Sequence, residues 1–277
     1  MTPDEYCQQK AAGSGSSFYY SFLFLRPERR RAITALYAFC REVDDAVDEP
    51  SDPSVARAKL AWWRSEVAQL FSGNPQHPVT RALAPALGPF GITAARLGEI
   101  VDGMEMDLEH GRYPDFAALQ LYCHRVAGVV GVLAAGIFGY RNARTLEYAE
   151  RLGLAFQLTN IVRDVGDDAR KGRIYLPMDE MKRFGVAAAD VLNSRQTPEF
   201  ARLMRFQGER AARCYDEAMA LLPPEDRRAQ RPGLIMAAIY RALLAEIADE
   251  GYRVLEHRTA LTPIRKLWIA WKTWLTA

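Results

Sequence analysis

Apolar positions recur at helical spacing along nearly the whole chain. Between Pro27 and Pro50, the residues Ile33, Leu36, Tyr37, Cys40, Val43 and Val47 lie on one stripe of a helix. Pro27 stands near its start, Glu28 in its first turn, and Pro50 and Pro53 end it. Similar patterns predict helices over Ser54–Phe71, Thr93–His110, Asp115–Phe138, Asn142–Arg163, Pro198–Leu222 and Gly233–Leu255, with a short last one from Pro263. No window alternates long enough for a strand. Gly73-Asn74-Pro75 and Pro223-Pro224 read as turns between helices. The prediction is an all-α single-domain helical bundle. Val126–Phe138 is apolar all round and rich in Gly and Ala. That predicts a central helix, closely packed through small residues, beside which a long apolar ligand would also find room.

The length of 277 residues fits one large domain, and 49% hydrophobic with 25% charged residues is ordinary for a globular protein. A net charge of +2 gives no global nucleic-acid footprint, so no nucleic-acid partner is expected. Cys7, Cys40, Cys123 and Cys214 form neither CxxC nor zinc spacing and read as reduced, packed thiols of a cytoplasmic protein. The polar, acidic start is no signal peptide, and the apolar run Val126–Phe138 is too short to span a bilayer.

Charge chemistry must then come from local clusters, and two stand out. Asp44-Asp45-Ala46-Val47-Asp48 ends one helix, and Asp164-Val165-Gly166-Asp167-Asp168 follows another. Each has Asp at i and i+4, about 40° apart around a helix and so on one face. Like charges there repel, and near a helix C-terminus they oppose the dipole. Two such pairs imply a cation, and hard oxygen ligands suit Mg²⁺. Arg41, Arg163, Lys171 and Arg173 stand close by in sequence. Acids and bases in one cleft are what a Mg²⁺–diphosphate site needs.

The stretches Tyr37–Asp48 and Gln157–Pro177, with Ser16-Ser17-Phe18 and Tyr122–Gly131, resemble the squalene/phytoene synthase family. The resemblance runs from about Tyr6 to Tyr252 and implies an isoprenoid synthase fold with a central cavity. It implies head-to-head condensation of two prenyl diphosphates with Mg²⁺, for which Mn²⁺ would substitute. By that resemblance Asp44, Asp48, Asn160, Asp164 and Asp168 are metal ligands. Arg41, Arg163, Lys171, Arg173, Gln157, Ser17 and Phe18 bind substrate, and Tyr37, Tyr175 and Tyr240 line the reacting region. Asp45 and Asp167 are extra acids for which direct ligation is not expected. The proton acceptor is left open between a tyrosine and the released diphosphate.

Within the family the chain is most similar to bacterial presqualene diphosphate synthases of the hopanoid route. Related synthases often carry a tyrosine where this chain has His124 or Arg125, and that residue is tied to steps after the cyclopropyl intermediate. Its absence favours two farnesyl diphosphates as substrates, a stop at presqualene diphosphate, no NADPH, and downstream squalene-forming enzymes as partners. His124 itself reads as a core histidine. The alternatives are phytoene synthase, acting on geranylgeranyl diphosphate, and a complete squalene or dehydrosqualene synthase. A terpene cyclase, a chain-elongating prenyltransferase and an inactive helical adaptor fit the motifs less well. Residues 1–262 read as the catalytic domain, and 263–277 as an amphipathic helix. Its Trp268, Trp271 and Trp274 serve either to touch the inner membrane face or to close the core.

Overall fold

The structure is a computed structural model that describes residues 1–13, 21–22, 24–48, 52–109 and 111–277. Among these the regular structure is helical, apart from one isolated parallel bridge between Arg112 and Ile174. The long helices are α1 (Pro3–Gly13), α2 (Pro27–Asp48), α3 (Pro53–Phe71), α4 (Ala94–Glu109), α5 (Phe116–Cys123), α6 (Val129–Phe138), α7 (Arg144–Arg170), α8 (Pro198–Leu221), α9 (Arg231–Asp249) and α10 (Pro263–Thr276). Several start on the same local device, in which a side chain caps a free N–H and proline occupies the first turn. Asp52 accepts from the N–H of Ser54, Thr197 from that of Phe200 and Thr262 from that of Arg265, with Pro53, Pro198 and Pro263 following.

Two apolar clusters form the core. One gathers α7, α8 and α9 around Tyr148, Phe200, Tyr215 and Ile235. The other gathers α2, α3, α4 and α6 around Leu36, Phe39, Leu97 and Ile137. Val126 packs against both. Burial of each such side chain contributes about 1.5–3 kcal/mol. Between the clusters α6 crosses α7 closely. A Cβ at Gly131 would lie 2.3 Å from the Ala149 carbonyl oxygen, and one at Gly153 would lie 2.4 Å from that of Ala127. The small residues of Val126–Phe138 therefore serve close packing, and several also line a cavity.

Three expectations need correction. The second aspartate motif does not follow its helix but lies inside it, because α7 continues to Arg170. The helix expected to reach Leu255 stops at Asp249, where Gly251 (φ 71°) and Tyr252 (φ 56°) turn left-handed. The apolar helix is longer than its most apolar run. A π-helical turn over His124–Gly128 joins α5 to α6, and Phe116–Phe138 is long and apolar enough by length and composition to cross a membrane. In the fold it packs on α7 and lines the central cavity.

Candidate active site

The cavity has a polar mouth and an apolar tunnel. The C-terminal ends of α2 and α7 meet across the mouth. Asp48, the last residue of α2, accepts from Lys171 Nζ at 2.8 Å and from Arg173 Nη1 at 2.7 Å, both just past α7. Among the described residues, every position proposed from sequence lines this mouth: Arg41, Asp44, Asp48, Gln157, Asn160, Arg163, Asp164, Asp168, Lys171, Arg173, Tyr37, Tyr175 and Tyr240. Ser17 and Phe18 lie outside the described residues. Helical periodicity explains why the extra acids turn away. Asp45 bonds Lys10 at 2.7 Å and Arg41 Nη2 at 2.9 Å, and Asp167 pairs with Arg170 and Arg258.

The aspartates divide into two kinds. Burial pushes each carboxyl up, and the neighbouring charges decide the outcome. At Asp48 the hydrogen bonds from Lys171 and Arg173 win, and at Asp164 those from Arg163 and Arg258 win, so both lie below the usual range. Asp164 accepts Arg163 Nε at 2.7 Å and Arg258 Nε at 2.6 Å. Asp44 is pushed up to about 6, by burial and then by Asp48 and Asp45, although Arg41 Nη1 donates to it at 2.7 Å. Asp168 is pushed up to about 7, by burial and then by Asp164. On the cationic side, burial and the neighbouring Arg163 and Arg258 hold Lys266 below its ordinary value. One cavity thus contains two carboxyls held above their usual range and an ammonium held below its own.

That combination fits a hard divalent cation together with a diphosphate. The donors are carboxylate and amide oxygens. Among the described residues the buried Oδ1 of Asn160 has no hydrogen-bond partner, while its Nδ2 donates to Gln157 at 3.4 Å. Among the described residues no three acidic, His or Cys groups come close enough to hold an ion alone. Phosphate oxygens would have to complete the shell, and Arg41, Arg163, Lys171, Arg173, Arg258 and Lys266 line the mouth to hold the rest.

The sequence reading missed Asp107, which two of the tyrosines contact. Asp107 accepts from Tyr175 Oη at 2.7 Å and from Tyr122 Oη at 3.1 Å, and burial pushes it up to about 6. The Tyr175 ring stacks on those of Tyr113 and Tyr122, which tilt against each other, with centroids 5.2–5.7 Å apart. A signal was present, since Asp107 continues the apolar stripe Leu97, Ile100, Val101 and Met104 on α4, where a carboxylate has no structural reason to be. Arg258 was missed for a different reason. It arrives from a loop that approaches Gly166, where a Cβ would lie 2.6 Å from the Val254 carbonyl oxygen. His124 is not a core residue. It is partly exposed and sits between Glu150 Oε1 at 2.9 Å and Glu99 Oε2 at 3.4 Å, away from the cavity.

The tunnel leads inward from Tyr37, Cys40, Val126, Gln157 and Asn160, which it shares with the mouth. Its walls are Ile33 and Leu36 of α2, Val130 and Ala134 of α6, Leu152 and Phe156 of α7 and Met236 of α9. It holds about 980 Å³ of atom-free space, part of it open to solvent.

A sequence model of the squalene/phytoene synthase family matches residues 11–265. The chain belongs to the squalene/phytoene synthase family. Its curated relatives include the phytoene synthase of Arthrospira platensis, 36% identical over 95% of this chain and 89% of that protein. The 15-cis-phytoene synthase of Synechocystis sp. is 33% identical over 99% of this chain and 85% of its own length. Among solved structures, a dehydrosqualene synthase in complex with ligand superposes with a TM-score of 0.87 at 29% identity, covering 98% of this chain and 95% of that one. Squalene synthase HpnC from Alicyclobacillus acidocaldarius gives 0.80 at 28% identity, over 90% of this chain and 94% of that one. Fold and family thus agree with the all-α isoprenoid-synthase expectation, and members of this family act on prenyl diphosphates.

Proposed function

We propose that the protein joins two farnesyl diphosphates head to head, with Mg²⁺, and stops at presqualene diphosphate. The observation that carries the chemistry is the convergence of aspartates with arginines and lysines in one mouth, set directly above an apolar tunnel. A soluble diphosphate head fits the first and a prenyl tail the second.

Magnesium, when bound, supplies positive charge that favours departure of the diphosphate. Asp44, Asp48, Asn160, Asp164 and Asp168 would hold it. Arg41, Arg163, Lys171 and Arg173 bind phosphate oxygens and stabilise the charge that develops on them as the allylic C–O bond breaks. The tunnel walls keep water from the allylic cation. The faces of Tyr37, Tyr240 and Phe156 at the tunnel entrance steady it by cation–π attraction, worth about 2 kcal/mol when desolvated. The double bond of the second substrate attacks the cationic carbon, and loss of a proton closes the cyclopropane. Burial and Asp107 push Tyr175 and Tyr122 upward, so both stay protonated and act as donors. The released diphosphate is therefore the acceptor we favour.

The stop at presqualene diphosphate is supported by His124, which faces Glu99 and Glu150 and contributes nothing to the cavity. Tyr122, from the same segment, does reach the mouth. With the phytoene synthase relatives, it favours a second reading in which the chain completes the conversion to a hydrocarbon. We also propose a cytoplasmic enzyme that touches the inner membrane face through α10, where Ile264, Leu267, Trp268, Trp271 and Leu275 are exposed. Downstream squalene-forming enzymes would then consume its product.

A product assay by mass spectrometry decides. Purified protein receives Mg²⁺ with farnesyl or geranylgeranyl diphosphate, with and without NADPH. A product that keeps one diphosphate and is indifferent to NADPH supports the proposal. A hydrocarbon overturns the stop at presqualene diphosphate, and phytoene overturns the farnesyl assignment as well.

A further inference from the structure

The far end of the tunnel holds a polar atom in an apolar wall. Tyr148 is 1% exposed, lines the tunnel, and its hydroxyl has no hydrogen-bond partner among the described residues. Its place along the tunnel follows from helix geometry. Gln157 and Asn160 line both mouth and tunnel, and Tyr148 precedes Asn160 by three turns and a fraction on the same helix, about 18 Å at 1.5 Å per residue. The opposite wall has the same polarity of depth. On α9, Tyr240 lines the mouth, whereas Gly233 lines only the tunnel, and a Cβ at Gly233 would lie 2.9 Å from the Tyr148 hydroxyl. The ring and hydroxyl of Tyr148 therefore stand near the inner end of the tunnel, which Phe138 and Gln230 also line.

We propose that Tyr148 is the stop that sets how long a prenyl tail the tunnel admits. This rests on the reading that the tunnel holds the tail. A buried hydroxyl gains no hydrogen bond from an isoprenoid chain, and pushing the ring aside would displace it into the close-packed α7–α9 contact. A tail that reaches Tyr148 ends there. An isoprene unit is about as long as one helical turn, about 5 Å, so removing the side chain frees room for one more unit.

The test uses unreactive thiolodiphosphates of geranyl, farnesyl, geranylgeranyl and geranylfarnesyl chains, bound in the presence of Mg²⁺ and followed by calorimetry. For the wild type, affinity should rise to farnesyl and then fall. In Tyr148→Ala the longest tightly bound analogue should move up by one isoprene unit, with its affinity relative to the shorter analogue improving about tenfold. Tyr148→Leu should move it part of the way and covers the case in which the alanine variant does not fold. Tyr148→Phe should keep the wild-type limit, because its ring still fills the end. An unchanged length limit in the folded alanine or leucine variant overturns the proposal. If the wild-type limit is geranylgeranyl, the farnesyl assignment falls, and Tyr148 is still tested by whether the limit moves to geranylfarnesyl. If no analogue binds the wild type, the tunnel reading falls and this inference with it.

Discussion

Asp168→Asn should abolish turnover and make the free protein more stable. In the folded chain the Asp168 carboxyl is pushed from its ordinary 3.8 to about 7, by burial first and by Asp164 second. At about 1.36 kcal/mol per pH unit between folded and unfolded values, the ceiling is about 4 kcal/mol. The carboxyl is partly exposed, and solvent screening reduces this to about 1–2 kcal/mol. For 277 residues at about 2.1 cal/mol/K of unfolding entropy per residue, that is a rise of about 2–4 °C in Tm. The sign follows from linkage. A carboxyl whose folded pKa is raised leaves the native state fully stable below about 3.8 and costs stability as pH rises towards 7. The gain from asparagine, which has no charge to lose, should therefore be small at pH 4, grow to pH 7 and stay flat above. Thermal unfolding of wild type and variant at pH 4, 6 and 8, without Mg²⁺, measures it. Adding Mg²⁺ with inorganic diphosphate should raise the wild-type Tm more than that of the variant, since the repulsion between Asp164 and Asp168 is there only in the wild type. A variant no more stable than wild type at pH 8, or equally stabilised at every pH, would refute the electrostatic argument. Near-normal turnover would refute the role in catalysis.

The partnered aspartates should behave oppositely. Asp164→Asn leaves Arg163 and Arg258 short of a counter-charge and should lower the Tm by about 2 °C, for a loss of about 1 kcal/mol, while also abolishing turnover; equal Tm in Asp164→Asn and Asp168→Asn would contradict the division into two kinds. Gly153→Ala should cost about 1–3 kcal/mol in denaturant unfolding, because its Cβ would sit 2.4 Å from the Ala127 carbonyl oxygen, and a neutral result would mean that α6 and α7 separate freely. On α10, Trp268→Ser with Trp271→Ser should weaken flotation with anionic liposomes without changing Tm, as both rings are exposed. Truncation after Thr262 should instead lower the Tm, because Ala270 is buried and Trp274 stacks on Phe24 at 4.8 Å and lies 4.8 Å from the Arg231 guanidinium.

The sequence alone determined whatever depends on residues close together in the chain. Helical periodicity and the Pro27 and Pro50 boundaries delimited α2, and i, i+4 spacing put Asp44 with Asp48 and Asp164 with Asp168 on shared faces while turning Asp45 and Asp167 away. Two motifs dense enough to be read locally carried the family. What local patterns could not decide was where each helix end lay in space. The continuation of α7 through its aspartates, the arrival of Arg258 beside Gly166 and the meeting of Lys171 and Arg173 with Asp48 all depend on packing between distant segments. The same holds for charge. Asp48 and Asp44 are one turn apart on one helix, yet the first is held low and the second is raised, because burial acts on both and only tertiary structure delivers two cations to Asp48. Asp107 and Tyr148 were single residues on otherwise ordinary apolar stripes, and only the assembled cavity brings the first to its mouth and the second to the deep part of its tunnel.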